Sequence, residues 1–60
     1  MYKIATKNKR IVGIAQTGKG WNVSTFRVRG KRVHTFRTQN TRTLAMAKKA
    51  FTKQKRKYLK

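Results

Sequence analysis

Apolar and polar residues alternate along much of the first two thirds of the chain, a pattern typical of half-buried β-strands. The clearest runs are Arg10 to Gln16, Trp21 to Arg29 and Arg32 to Arg37. They predict an antiparallel sheet over residues 10–37. Residues 1–9 alternate more weakly, so they form either a flexible basic arm or an additional edge strand.

Glycine-containing segments separate these runs. Thr17 to Gly20 predicts one turn, and Gly30-Lys31 predicts a type II′ hairpin turn because glycine comes first. A two-residue loop there places Val28 opposite Val33 and Phe26 opposite Thr35. A three-residue loop instead places Phe26 opposite Phe36, and the sequence leaves both registers open.

The longest strand run changes phase. Trp21 and Val23 occupy odd positions, whereas Phe26 and Val28 occupy even ones. Either a bulge near Ser24-Thr25 restores the alternation, or the strand is apolar first on one face and then on the other.

The last part of the chain has helical spacing. Apolar residues recur at intervals of three, four and seven, without proline or interior glycine. The stripe comprises Leu44, Ala47, Phe51 and Tyr58, with Ala50 at its edge. Capping side chains are frequent from Thr38 to Thr43, so the helix is expected within residues 41–58.

Together these elements predict one α+β domain over residues 1–60. An antiparallel sheet of three strands, or four if the first segment joins it, packs on one C-terminal α-helix in the order β-β-β-α. One face of the sheet is covered by the helix, and the other faces solvent or a ligand.

Charge identifies the class of partner. The chain has eighteen Lys and Arg residues and neither Asp nor Glu, which gives a formal net charge of +18. No carboxylate side chain offsets this self-repulsion, so a polyanion is the expected partner. Nucleic acid is the leading candidate, and an anionic membrane surface is the second. No apolar run approaches the ~20 residues of a membrane span.

The same composition argues against catalysis and cofactor binding. Cysteine and carboxylate side chains are absent, and His34 alone cannot form a zinc site. We therefore expect no enzyme activity, metal, cofactor or small-molecule substrate. The N-terminus has no long apolar stretch of the signal-peptide kind, which favours a cytoplasmic or nucleoid-associated protein.

Arginine and lysine are distributed differently. Arginines concentrate in the middle hairpin, where their planar forks can bind guanine edges or phosphates at two points. Lysines concentrate toward the C-terminus, either as phosphate contacts or as a solvated helix face. Arg27, Arg29 and Arg37 can share one sheet face and form a readout surface.

Aromatic residues have competing interpretations. Trp21 either packs in the core or lies on the open sheet face against a sugar or base. Phe26 and Phe36 are expected in the core. His34 is expected at the sheet surface, where it can contact a phosphate.

Three short motifs occur in a recognisable order: VGIAQ at Val12–Gln16, GKGW at Gly18–Trp21, and TFRT at Thr35–Thr38 before an Ala-rich helix. Over about residues 10–52 the chain resembles the three-stranded DNA-binding domain of the plant ethylene-response-factor (APETALA) type. Related forms occur in phage and mobile-element homing endonucleases and in the arm-binding domains of tyrosine integrases.

The resemblance implies a sheet that enters the major groove of DNA, with Gln16, Lys19, Trp21 and the Arg27/Arg29 pair on DNA-facing strands. Val12 and Ala15 stand where plant members carry base-reading arginines, which favours weakly specific binding or a different target site. The full set of expected nucleic-acid contacts is Arg10, Gln16, Lys19, Trp21, Arg27, Arg29, Lys31, Arg32 and Arg37.

The leading hypothesis is a regulatory or architectural protein that docks its Arg-rich sheet on duplex DNA. The first alternative is an RNA-binding protein, either specific for double-stranded RNA or associated with the ribosome, since strands followed by TLAMAKKAF also resemble the C-terminal half of a double-stranded-RNA-binding domain. The second alternative is a small phage-type regulator that binds an acidic protein surface or the host transcription or nucleoid machinery.

Overall fold

The computed structural model describes residues 2–59 and shows an α+β fold. The elements are β1 (Lys3–Lys7), β2 (Arg10–Thr17), β3 (Gly20–Arg29), β4 (Arg32–Thr41) and α1 (Leu44–Tyr58). The strands form one antiparallel sheet in the order β1-β2-β3-β4, and the helix packs on one side of it. The first segment therefore forms the additional edge strand.

The sheet is longer than residues 10–37 because strands form at both ends of that range. β1 pairs with β2, and β4 continues through Thr38–Thr41 before the helix begins at Leu44. Threonine serves equally well as a β-branched strand residue and as a helix cap. Thr43 alone caps the helix: its Oγ1 accepts a hydrogen bond from the Met46 backbone N–H at 3.3 Å.

Two-residue turns set the strand registers. Asn8 and Lys9 both have positive φ, at 53° and 66°, the pattern of a type I′ turn. In the Gly30-Lys31 turn only Gly30 has positive φ, at 57°, which fits the expected type II′ turn. Val28 accordingly pairs with Val33, the register expected for the two-residue loop.

The irregularity in the sheet lies on β4, not on β3 near Ser24-Thr25 as one sequence interpretation had it. Thr25 pairs with Arg37 and Phe26 pairs with Thr35, so Phe36 is the extra residue. β3 itself pairs regularly with β2 and is apolar first on one face and then on the other.

The core lies between the helix and the sheet. Val12, Ile14 and Val23 pack against buried residues of the helix, chiefly Ala47 and Phe51. Trp21 packs at the edge of this core, which decides between its two interpretations. The expectation that Phe26 lies in the core is wrong, because strand alternation places it on the opposite face, where it is half-buried.

The face of the sheet turned away from the helix is called the open face. It contains Gly13 and the side chains of Ile4, Thr6, Ile11, Ala15, Thr17, Asn22, Ser24, Phe26, Val28, Val33, Thr35, Thr38 and Asn40.

Candidate nucleic-acid interface

The two sides of the sheet differ in charge. Antiparallel pairing and strand alternation place every Lys and Arg of the four strands on the side that carries the helix. These residues are Lys3, Lys7, Arg10, Arg27, Arg29, Arg32 and Arg37. The helix adds Lys48, Lys49, Lys53, Lys55, Arg56 and Lys57 on the same side.

Arg27, Arg29 and Arg37 therefore share one face, but it is not the open face. The periodicity of the sequence places these residues together without specifying which face the helix covers. The structure places this charged surface on the helix side.

The β3–β4 hairpin extends beyond the rest of the sheet. β2 begins at Arg10, which pairs with Arg27, so only two strands continue from Val28 to Val33. We call this two-stranded end, residues 27–34 with its turn, the ribbon. All its residues except Arg27 are exposed.

Like charges lie directly opposite each other at the base and tip of the ribbon. Arg10 pairs with Arg27 across β2 and β3, and Arg29 pairs with Arg32 across β3 and β4. Cross-strand pairs of like charge destabilise a sheet. A bound anion between the guanidinium groups would remove this penalty.

An aromatic cluster lies where the ribbon meets the end of the helix. The His34 and Phe36 ring centroids are 4.9 Å apart, and Phe36 stacks on Tyr58 with centroids 5.7 Å apart. Arg10 lies over the Phe36 ring, and its Nη1 donates a hydrogen bond to the Tyr58 carbonyl oxygen at 3.1 Å. Arg10 thus holds the end of the helix against the sheet.

Two shallow grooves meet at this cluster. The first, of about 460 Å³, is lined by Arg27, Arg29, Arg32, Val33, His34 and Phe36. The second, of about 280 Å³, is lined by Arg37, Gln39, Lys53, Gln54, Lys57 and Tyr58. Within residues 2–59, Arg27 Nε is buried without a hydrogen-bond partner. The stack of Phe36 on Tyr58 joins the grooves into one cationic surface, called the basic groove.

The structure separates the expected contact residues into two groups. One group lies in or beside the basic groove: Arg10, Arg27, Arg29, Lys31, Arg32 and Arg37. The other lies at the opposite end of the sheet, where Gln16 pairs with Trp21 and Lys19 occupies the β2–β3 turn. Trp21 contacts Tyr2 edge-on, with ring centroids 5.5 Å apart.

Some groove residues were assigned other roles from the sequence. Phe36 and Tyr58 were expected to face the core, and the C-terminal lysines were expected either as phosphate contacts or as a solvated helix face. The β4 bulge brings Phe36 over the helix end, and no sequence signal located that bulge on β4. Lys53 and Lys57 are neighbours of Gln54 on the helix, and the burial of Gln54 places them beside β4. The sequence would have indicated this position only if the burial of Gln54 had been predicted.

No protein-family model matches the chain, and comparisons with curated proteins and with solved structures found no match. Among residues 2–59, no helix is both long and apolar enough to cross a membrane.

Proposed function

We propose that this protein binds duplex DNA through the ribbon and the basic groove. The observation that supports this most directly is the pairing of Arg10 with Arg27 and of Arg29 with Arg32. Such like-charge pairs cost stability in the free protein, and DNA phosphates would compensate for them.

The dimensions of the ribbon suit the major groove. Paired strands lie about 4.8 Å apart, and the major groove, about 12 Å wide, admits a two-stranded ribbon. Arg29, Lys31 and Arg32 lie near its tip and would meet base edges or phosphates. Arg37, Lys53 and Lys57 would contact the phosphates of a flanking strand.

Recognition would be mainly electrostatic. Arginine contacts with guanine supply some sequence preference, but uncharged base-reading side chains are few on this side of the sheet. Binding that is strong yet weakly sequence-dependent suits an architectural or regulatory protein.

The decisive test compares two double variants of equal charge. Arg27→Ala/Arg29→Ala removes cations from the basic groove, whereas Lys48→Ala/Lys49→Ala removes them from the first half of the helix, away from the ribbon. Fluorescence anisotropy with a mixed-sequence duplex should show at least about a tenfold loss for the arginine variant, and about threefold or less for the lysine variant. Equal losses of DNA affinity would mean that binding depends on the total charge and not on its position, and would contradict this site.

RNA is the second candidate, and the aromatic cluster is the observation that favours it. Exposed His34 beside Phe36 and Arg27 could stack an unpaired base, as proteins that bind single-stranded nucleic acid do. Competition of labelled duplex DNA with unlabelled duplex DNA, duplex RNA and single-stranded RNA distinguishes these ligands. Stronger competition by either RNA would replace the DNA proposal.

A further inference from the structure

Within the four strands, which lie inside the described residues 2–59, no Lys or Arg is on the open face, although eighteen of the 60 residues are cationic. One end of this face is apolar. Ile11 pairs with Phe26 and Val28 pairs with Val33. Ile4, on the edge strand, pairs with Gly13 and lies diagonally from Ile11, toward the middle of the face. Ile4, Val28 and Val33 are 56%, 42% and 62% exposed. Contiguous apolar surface of this kind marks interaction sites.

The other end of the open face is polar, and side-chain hydrogen bonds connect several of its residues. Asn22 Nδ2 donates to Asn40 Oδ1 at 2.9 Å, and Ser24 Oγ donates to Asn22 Oδ1 at 2.6 Å. Ser24 Oγ also lies 3.4 Å from Thr38 Oγ1. These bonds fix the side chains in a flat, neutral surface. The whole face therefore has the character of a protein interface, with an apolar part and a hydrogen-bonded rim.

Charge determines which partner fits this face. A nucleic acid or an acidic protein would be attracted to the helix side, where the cations lie. A second copy of this chain, which also carries +18, would meet the strand and helix cations on the helix side, whereas the strands place none of them on the open face. The open face is thus the surface on which two copies can meet without opposing like charges.

The size of the face is sufficient for such contact. The molecule measures 31 × 23 × 16 Å, so each copy can bury at most about 700 Å² of one flat side, which lies within the roughly 600–1,000 Å² per partner of a standard interface. Sheets packed face to face lie about 10 Å apart, which keeps the helix-side charges of the copies on the order of 20 Å apart, more than two Debye lengths at physiological salt.

We propose that two copies associate through their open faces as a symmetric dimer. Val33 and Val28 of each copy pack against the apolar end of the other, as a two-fold interface requires. The two basic grooves then face outward in opposite directions. If the grooves bind DNA as proposed above, the dimer bridges two duplexes, but dimer formation itself does not depend on that function.

Sedimentation velocity over a concentration series, without nucleic acid, tests this dimer. At about 0.5 M salt the Debye length is about 4 Å, so residual repulsion is screened. The wild-type chain should approach twice its 7.0 kDa mass. Val33→Lys should weaken association by more than about tenfold, because the new charge meets its symmetry mate or an apolar surface.

The matched control is Met46→Lys, which places the same charge on an apolar side chain of the helix that is 55% exposed. It should dimerise like the wild type. Ile4→Lys, on the other side of the face, is a second disruption, and Trp21 fluorescence reports folding because Trp21 packs by the core. A wild-type monomer throughout, or dimerisation unchanged in folded Val33→Lys and Ile4→Lys, would overturn the proposal.

Discussion

Aromatic rings and carbonyl oxygens take the place of carboxylates as partners for the cationic side chains. Lys3 Nζ lies 5.2 Å from the centroid of the Phe51 ring, and Arg10 lies at the same distance from the Phe36 ring. Cation–π contacts stabilise exposed sites by about 0.5–1 kcal/mol each. These contacts leave the positive charge unneutralised, so the cations stay available to an anionic ligand.

Gln54 is the polar residue on which the core depends. Its side chain accepts a hydrogen bond from Thr25 Oγ1 at 2.6 Å and donates one to the Val23 carbonyl oxygen at 3.2 Å. Gln54→Leu retains the side-chain volume but removes the hydrogen bonds to the Thr25 hydroxyl and the Val23 carbonyl oxygen, both of which stay buried. The free energy of unfolding should therefore fall by about 2–3 kcal/mol. Urea denaturation followed by circular dichroism measures the change.

Two comparisons make the Gln54 prediction specific. Thr52→Ala removes an exposed hydrogen bond to the Lys48 carbonyl oxygen and should change stability by less than about 0.5 kcal/mol. Thr25→Val/Gln54→Leu should lose less than the sum of its single variants, since no unpaired hydroxyl remains at residue 25. Strict additivity would show that the two side chains are not coupled.

Close approach of two elements explains a glycine at the start of β3. Gly20 has φ of +145°, and a Cβ added there would collide with the carbonyl oxygen of Thr41, the last residue of β4. Gly20→Ala should therefore lower the free energy of unfolding by about 2 kcal/mol or more. Thermal unfolding should show the loss.

Gly18→Ala is the matched control for this position. Gly18 lies in the same turn, without positive φ, and no atom lies within 4 Å of its added Cβ. Its substitution should be neutral or slightly stabilising. Similar losses at the two positions would refute the explanation by close approach.

The elements were largely predictable from the sequence, but their faces were not. Alternation and glycine turns predicted β2 and β3, and the stripe through Phe51 predicted the helix, whereas the β3–β4 hairpin register was one of two that the sequence left open. Tertiary packing decides whether Val23 or Phe26 faces the helix, because β3 has apolar residues on both of its faces. The basic groove followed from that choice and from the β4 bulge.

Salt should act in opposite directions on stability and on DNA affinity, because both depend on the charge of the whole molecule. Screening reduces self-repulsion at +18, so the melting temperature of the free protein should rise with ionic strength. Six to eight phosphate contacts predict that log K falls against log salt with a slope of about −5 to −7. Thermal unfolding and anisotropy titrations over one salt series test both. A slope near zero would exclude electrostatic binding of DNA.

The meander order of the strands, followed by a single helix, has a consequence for synthesis on the ribosome. Each hairpin joins neighbouring segments, so β1 to β4 can pair as they emerge, but Val12, Ile14 and Val23 stay uncovered until the helix docks. Arg10 completes that docking through a contact with residue 58. The nascent sheet must therefore remain soluble without a core until the helix has emerged, and its unopposed positive charge keeps unfinished chains apart during that interval.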